Sequence, residues 1–264
     1  MATATSALAP TLSDDQLGEL LALTRDSDSV ELKLTVPEAD HYPVAAALGI
    51  DPLDAELRQV YFFDTPDLNL NRQGVIVRAR RVQRKRGDSV VKLRPVVPTE
   101  LPKTLRKAAG FNVEVDAMPG GFVCSGSLKR GVDNAEVRDV ALGARPLSAL
   151  LSKEQRAFVS AQAPDCPALD ELSVLGPIMV LKLKFKPERL ERRLVAELWM
   201  YPDNSRLLEL STKCEPREAF LAAAETTVFL SERGIDLSGQ QEPKTLKALE
   251  FFSARRSVEE RSAT

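Results

Sequence analysis

The sequence predicts an α+β fold rich in antiparallel strands, with helices at the ends and between two halves. Three observations carry this reading. Many segments alternate apolar and polar residues with period two, which marks half-buried strands. Short polar links such as KRGD and PDNS join neighbouring strands as hairpin turns. Other segments, mostly near the ends, repeat their leucines with helical spacing.

In chain order, DDQLGELLALTR reads as a helix after Ser13, with Leu17, Leu20, Leu21 and Leu23 at helical spacing and acids in its first turn. SVELKLTV is a strict alternation and so a strand. PEADHYPVAAALG reads as a helix opened near Pro37 and closed by Gly49. ELRQVYFFDT is a strand stopped by the turn residues that follow, and VIVRARRV and SVVKLRPV form a hairpin. FNVEVDAM and FVCSGSL are further strands, RPLSALLSKEQRAFVSAQ is one amphipathic helix, and MVLKLKFKP, LVAELWMYP and RLLELSTKC are three strands in succession. EAFLAAAETTVFLSERG is a helix ended by Gly234, and KTLKALEFF another. Residues 15–256 are expected to form a single domain between flexible tails at 1–14 and 257–264.

Composition excludes several classes. The 264 residues are 44% hydrophobic and 28% charged, with a formal net charge of -2, so a packed core is expected and general disorder is not. No run approaches the roughly 18 apolar residues that span a bilayer. The N-terminus lacks the basic and apolar regions of a secretory signal, so a cytoplasmic location is expected, with no membrane partner. Cys124, Cys166 and Cys214 are few, scattered and odd in number, which argues against a disulfide frame or thiolate metal site. With His41 the only histidine, triads and histidine-ligated zinc are poor candidates.

The polar faces of the strands carry most of the functional information. Ser29, Glu31 and Lys33 share one face, as do Arg78 with Arg80, Lys92 with Arg94, Glu114 with Asp116, Lys182 with Lys184, and Glu209 with Ser211 and Lys213. Like charges two residues apart repel unless an anion lies among them. A solvated sheet face and an inward-facing tunnel both fit this pattern. The tunnel would suit a polyanion with a divalent metal, since cations hold phosphate oxygens and carboxylates hold the ion.

S-V-E-L-K, Y-F-F-D-T-P-D-L, V-I-V-R-A-R-R, V-V-K-L-R-P and L-L-E-L-S-T-K occur in an order that resembles CYTH domains, the triphosphate tunnel metalloenzymes, over about residues 28–253. The resemblance implies a closed eight-stranded antiparallel β-barrel with helices outside, holding a triphosphate and Mg²⁺ or Mn²⁺. It implies catalytic roles for Glu31 and Lys33, with Glu31 a metal ligand. It places Lys33, Arg78, Arg80, Lys92, Arg94, Lys182 and Lys184 on the phosphates, joined by Lys213 of the same charged faces. Glu209 matches an acid of the family's late E-x-E pair, and Lys244 resembles a lysine on the C-terminal helix that closes the tunnel. Two departures stand out: Ser29 and Ser211 occupy positions where the family has Glu. A hydroxyl is a much poorer Mg²⁺ ligand than a carboxylate, which leaves Glu31, Glu209, Glu114 and Asp116 as the candidate metal ligands.

The leading expectation is therefore a metal-dependent phosphohydrolase acting on tripolyphosphate or an organic triphosphate. The alternative is a module that binds polyphosphate or a nucleotide without turnover, with a class IV-type adenylate cyclase ranked lower. Nucleic acid is not expected as a partner, since the chain is near neutral and has one Trp and three Tyr for stacking. Asp64 and Asp67 read as turn caps, Cys124 and Cys214 as packed thiols, and PGGFVCSGSLKR as a flexible turn. Glu197 is left open between facing the tunnel and pairing with a lysine.

Overall fold

The computed structural model describes residues 14–237, 241 and 244–262. Among these, nine strands close into one barrel: β1 (Ser29–Val36), β2 (Glu56–Asp64), β3 (Val75–Val82), β4 (Gly87–Leu93), β5 (Phe111–Met118), β6 (Gly121–Val132), β7 (Ser173–Phe185), β8 (Leu194–Met200) and β9 (Arg206–Cys214). Around the barrel they run β1-β5-β6-β4-β3-β2-β7-β8-β9, and β9 returns to β1. Eight helices accompany them: α1 (Asp14–Arg25), α2 (His41–Ala47), α3 (Asn69–Arg72), α4 (Lys103–Arg106), α5 (Asn134–Ala141), α6 (Lys153–Gln162), α7 (Ala219–Ser231) and α8 (Lys244–Ser262).

The barrel corrects the expected eight antiparallel strands. It has nine, and it is mixed, because β1 and β5 pair in parallel while every other neighbour is antiparallel. Alternation shows which face a side chain takes and says nothing about which strand lies alongside. That one parallel pair sets Ser29 opposite Glu114 and Glu31 opposite Asp116.

Three other expectations change. The glycine-rich PGGFVCSGSLKR is not a flexible turn: only Pro119 and Gly120 turn, with Gly120 at φ 84°, and β6 then runs to Val132. β6 is long enough to pair with β5 at one end and β4 at the other. The segment read as one helix from Arg145 to Gln162 is a short 3-10 turn followed by α6. The break falls at Ser152, whose hydroxyl accepts from Gln155 N while the Gln155 side chain accepts from Ser152 N, a reciprocal cap that starts a new helix. At the C-terminus α8 continues to Ser262, into the segment expected to be a tail. The N-terminal tail, up to residue 13, lies outside the described residues.

Apolar strand faces point outward beneath the helices. Val77, Ala79, Val91 and Leu128 pack against Val137 of α5 and Phe158 of α6. Leu34, Val36, Leu208 and Leu210 meet Val44 of α2 and Phe229 of α7, while Leu20 and Leu23 of α1 lie against Val30, Val113 and Val115. α8 differs, because its Ala248 and Leu249 pack with Val60, Val180 and Trp199, which line the interior. With the outward faces buried this way, the charged faces are left to line the interior. The barrel is thus turned inside out relative to a solvated sheet.

Candidate functional site

The interior is a cavity of about 810 Å³. Glu31, Lys33, Arg78, Arg80, Lys92, Arg94, Glu114, Lys182, Lys184, Glu209, Lys213 and Lys244 all line it, so every site residue drawn from the sequence but Asp116 borders this one space. Asp116 is fully buried just behind, in ion pairs with Lys33, Lys92 and Arg94. Strand alternation delivers most of these side chains, and Lys244 enters from the first residue of α8. Arg94 follows the end of β4, where its backbone is tied to Gly74: Arg94 N donates to Gly74 O at 2.8 Å. Gly74 has φ 76°, and a Cβ there would lie 2.7 Å from the Arg94 carbonyl oxygen, so the close approach requires glycine.

Carboxylate oxygens of Glu31, Glu114 and Asp116 lie within 4.8 Å of one another. Lys33 Nζ is 3.1 Å from Glu31 Oε2 and 2.7 Å from Asp116 Oδ1. Lys92 Nζ and Arg94 Nη2 lie 3.5 and 3.3 Å from Asp116 Oδ2, so both oxygens of this buried carboxylate have cationic neighbours. Burial pushes the Asp116 carboxyl up, but Lys33, Lys92 and Arg94 outweigh it and hold it well below the usual carboxylate range. Burial likewise works against the Lys33 ammonium, and Asp116 and Glu31 more than compensate, raising it above its ordinary value. Three hard carboxylate oxygen donors this close together fit a small divalent cation such as Mg²⁺ or Mn²⁺. Glu209, expected among these ligands, is instead held by Lys244 Nζ at 2.6 Å.

The two serines that replace acids are both buried and both donate to members of the acidic group. Ser211 Oγ donates to Glu31 Oε1 at 2.9 Å, and Ser29 Oγ donates to Glu114 Oε2 at 3.3 Å. Lys213 also donates to Glu114 Oε2.

Elsewhere in the cavity Arg80 is committed to Asp88 through two bonds, Nε at 2.8 Å and Nη2 at 2.7 Å. Lys182 Nζ donates to Glu197 Oε1 at 2.6 Å, and Lys244 Nζ to Glu197 Oε2 at 2.5 Å. Burial opposes the Glu197 charge, but Lys244 and Lys182 hold its carboxyl well below the ordinary range. Glu197 therefore both faces the tunnel and pairs with lysines. Trp199 shares that inward face, with Nε1 3.3 Å from Glu197 Oε2 and its ring beneath Lys244. Arg78 differs from these paired groups: its Nε is inaccessible and has no hydrogen-bond partner. Burial, and then the neighbouring Arg80, lower the Arg78 guanidinium to about 10.

Several further lining residues carry only weak signals in the sequence. Arg58 alternates with Val60 on the inward face of β2, a signal obscured by the continuous apolar run YFF that follows. Lys129 continues the inward alternation of β6 past the point where the strand was expected to stop. Arg193 lies just before β8 in a segment with no alternation to mark it. Asp88, the last residue of the polar KRGD link, belongs to β4. Asp64 does cap a turn, accepting from the backbone N of Thr65, Leu70 and Asn71. Cys124 and Cys214 are buried free thiols, and Cys166 is free and half-buried. No helix among the described residues is long and apolar enough to cross a membrane.

No protein-family model matches the sequence, and no curated protein does. Solved structures do. The chain is similar to a candidate adenylate cyclase from Bacillus halodurans, at 15% identity over 82% of this chain and 95% of that one, with a TM-score of 0.57. It is also similar to a candidate adenylyl cyclase from Hippeastrum described as having a dominant triphosphatase activity, at 19% identity over 80% of this chain and 91% of that one, with a TM-score of 0.58. At these identities the likeness is one of fold.

Proposed function

The chain has the CYTH, or triphosphate tunnel, fold, and we propose that it is a metal-dependent phosphohydrolase that takes tripolyphosphate or an organic triphosphate into the barrel. One observation carries this reading above the others. Among the described residues, twelve basic side chains but only four acidic ones line the cavity, in a chain whose net charge is -2. Adding Asp88 and Asp116 behind the wall still leaves a large cationic surplus. Enclosed cations in excess are unfavourable without an anion, and a triphosphate supplies about four negative charges near neutral pH.

Each residue has a distinct task. Arg78, lacking a carboxylate partner, offers its guanidinium to phosphate oxygens. Lys92, Arg94, Lys182 and Lys184 neutralise the chain and hold it in register, and Arg80 contributes what charge Asp88 leaves. Lys33 is shared between the acidic group and the cavity, where it stabilises charge developing on the transferred phosphoryl oxygens. Glu31, Glu114 and Asp116 would hold a divalent cation, which supplies charge neutralisation at phosphate oxygens and a water of lowered pKa. The overall reaction adds water to the terminal phosphorus and breaks its bond to the bridging oxygen, releasing orthophosphate and the shortened phosphate. The triphosphatase activity named for the Hippeastrum structure supports this reading by analogy of fold.

Phosphate release from tripolyphosphate, ATP and thiamine triphosphate, with and without Mn²⁺ or Mg²⁺ across pH 6–10, tests the proposal. Metal-dependent release from at least one of them is expected, and no release from any would refute it. The replacement of two family acids by Ser29 and Ser211 favours a second reading, capture without turnover. Tight calorimetric binding of tripolyphosphate with no hydrolysis would select that one.

A further inference from the structure

Ser29 and Ser211 occupy places where a carboxylate is expected, yet neither faces empty space or points away. Each is buried and each aims its hydroxyl at a different carboxylate of the acidic group: Ser211 at Glu31 Oε1, 2.9 Å away, and Ser29 at Glu114 Oε2, 3.3 Å away. The strand registers produce this. Ser211 of β9 lies opposite Lys33, one diagonal step from Glu31, and Ser29 of β1 lies directly opposite Glu114 in the barrel's parallel pair. The third carboxylate, Asp116, is fully buried, and one of its oxygens lies within 4.8 Å of an oxygen of Glu31 and of Glu114, a spacing that a single divalent cation can bridge.

We propose that Ser29 and Ser211 are positioning residues, which replace two ligands of a larger acidic site with two hydroxyl donors that fix the carboxylates of a smaller one. The inference rests on the phosphohydrolase reading above. A buried carboxylate on a flexible glutamate side chain has several rotamers, and a hydrogen bond to one oxygen removes most of them, as Ser211 does at Glu31 Oε1 while Lys33 Nζ lies 3.1 Å from Oε2. The hydroxyls add no negative charge. The acidic group therefore keeps three carboxylates, the number suited to one divalent cation, and the two Ser replacements refine the site without emptying it. Groups that orient metal ligands in this way typically change affinity by about 10–100-fold when removed.

The test is Mn²⁺ binding by the full-length protein without substrate, followed by calorimetry and by the electron paramagnetic resonance of free Mn²⁺. Ser211→Ala and Ser29→Ala are each expected to weaken binding by about 10-fold. Ser211→Thr, which keeps the hydroxyl on a strand that favours β-branched residues, is expected to stay within about 3-fold of the wild type. Thermal melts without metal check that each variant folds. Glu31→Gln is measured in parallel. If Glu31→Gln loses Mn²⁺ while both alanine variants bind as tightly as the wild type, the positioning role is overturned and the metal site stands. If the wild-type protein binds no Mn²⁺, this inference falls, while the phosphohydrolase reading stands or falls separately with the phosphate-release assay.

Discussion

Arg80 meets Asp88 across the β3–β4 hairpin in a two-pronged pair, Nε at 2.8 Å and Nη2 at 2.7 Å, two residues from Arg78 on the same inward face. The two arginines look equivalent in the sequence and are not equivalent in the fold. Arg80 has its counter-charge built in. Arg78 has an orphaned Nε and is pressed downward by burial and by Arg80 itself.

A cation kept without a partner is expected to help the ligand more than the fold. Arg78→Met should therefore leave the ligand-free protein as stable as the wild type or more so, by about 1 kcal/mol, because replacing an uncompensated enclosed charge with an apolar side chain is often stabilising. The same substitution should weaken tripolyphosphate binding by at least about tenfold, since a charge-assisted pair contributes roughly 1.5–3 kcal/mol. Urea unfolding and calorimetry on one preparation would reveal this opposition. A variant that is both less stable and unchanged in affinity would assign Arg78 to the fold alone.

Asp88 gives a pH signature. Burial raises its carboxyl, but the Arg80 bonds, with Arg78 and Lys129 nearby, outweigh burial and lower it to about 2. Because the folded value lies below the unfolded value of about 3.9, the stabilising contribution is complete above pH 4 and is lost as pH falls through 2. Asp88→Asn should destabilise the protein at neutral pH by about 3–5 kcal/mol, the cost of stranding Arg80. The gap between variant and wild type should narrow between pH 4 and pH 2. Unfolding midpoints at pH 5, 4, 3 and 2 would show it, and a gap that stays constant would mean the pair is not a charge pair.

Lys244 joins α8 to the barrel. Its ammonium donates to Glu197 and Glu209, and burial, which works against its charge, is overcome by those two carboxylates so that its proton is held more tightly than usual. Lys244→Met should cost about 3–5 kcal/mol by leaving Glu209 without that ion pair. Amide exchange in α8 should rise before exchange in the strands does. Adding Glu209→Gln to the variant should recover part of the loss. Unchanged exchange in α8 would show that its apolar contacts alone hold it.

Those apolar contacts have a scale of their own. Leu249, 2% exposed, packs with the interior-lining residues Val60, Val180 and Trp199. Leu249→Ala should destabilise the protein by about 2–5 kcal/mol, read from denaturant midpoints at constant slope. A loss well under 1 kcal/mol would mean that α8 does not cover these interior residues.

Much of the site was legible because period-two alternation reports the face of each side chain directly. The pairs Arg78 with Arg80, Lys92 with Arg94 and Lys182 with Lys184 could be assigned one surface before any neighbour was known. Pairing itself was not legible. Glu31 lies beside Asp116 only because β1 and β5 run parallel, and that partnership joins strands about 80 residues apart. Nor could the roles of charges be ranked from spacing, since Arg80 and Arg78 differ only through Asp88 on the next strand. Glu209 was assigned to the metal group and is held by Lys244, which comes from a helix whose docking the strand pattern could not reveal. β6 was undervalued because three glycines weaken the strand signal. They tell little of its length when neighbours on both sides supply the hydrogen bonds.

A crystal structure of the protein with Mn²⁺ and tripolyphosphate, using the anomalous signal of manganese, would address the central claim most directly. An anomalous peak is expected among Glu31, Glu114 and Asp116, with phosphate density extending from it to the Arg78 guanidinium. Manganese and phosphate found only on the outer surface, with the interior side chains paired as they are now, would contradict it.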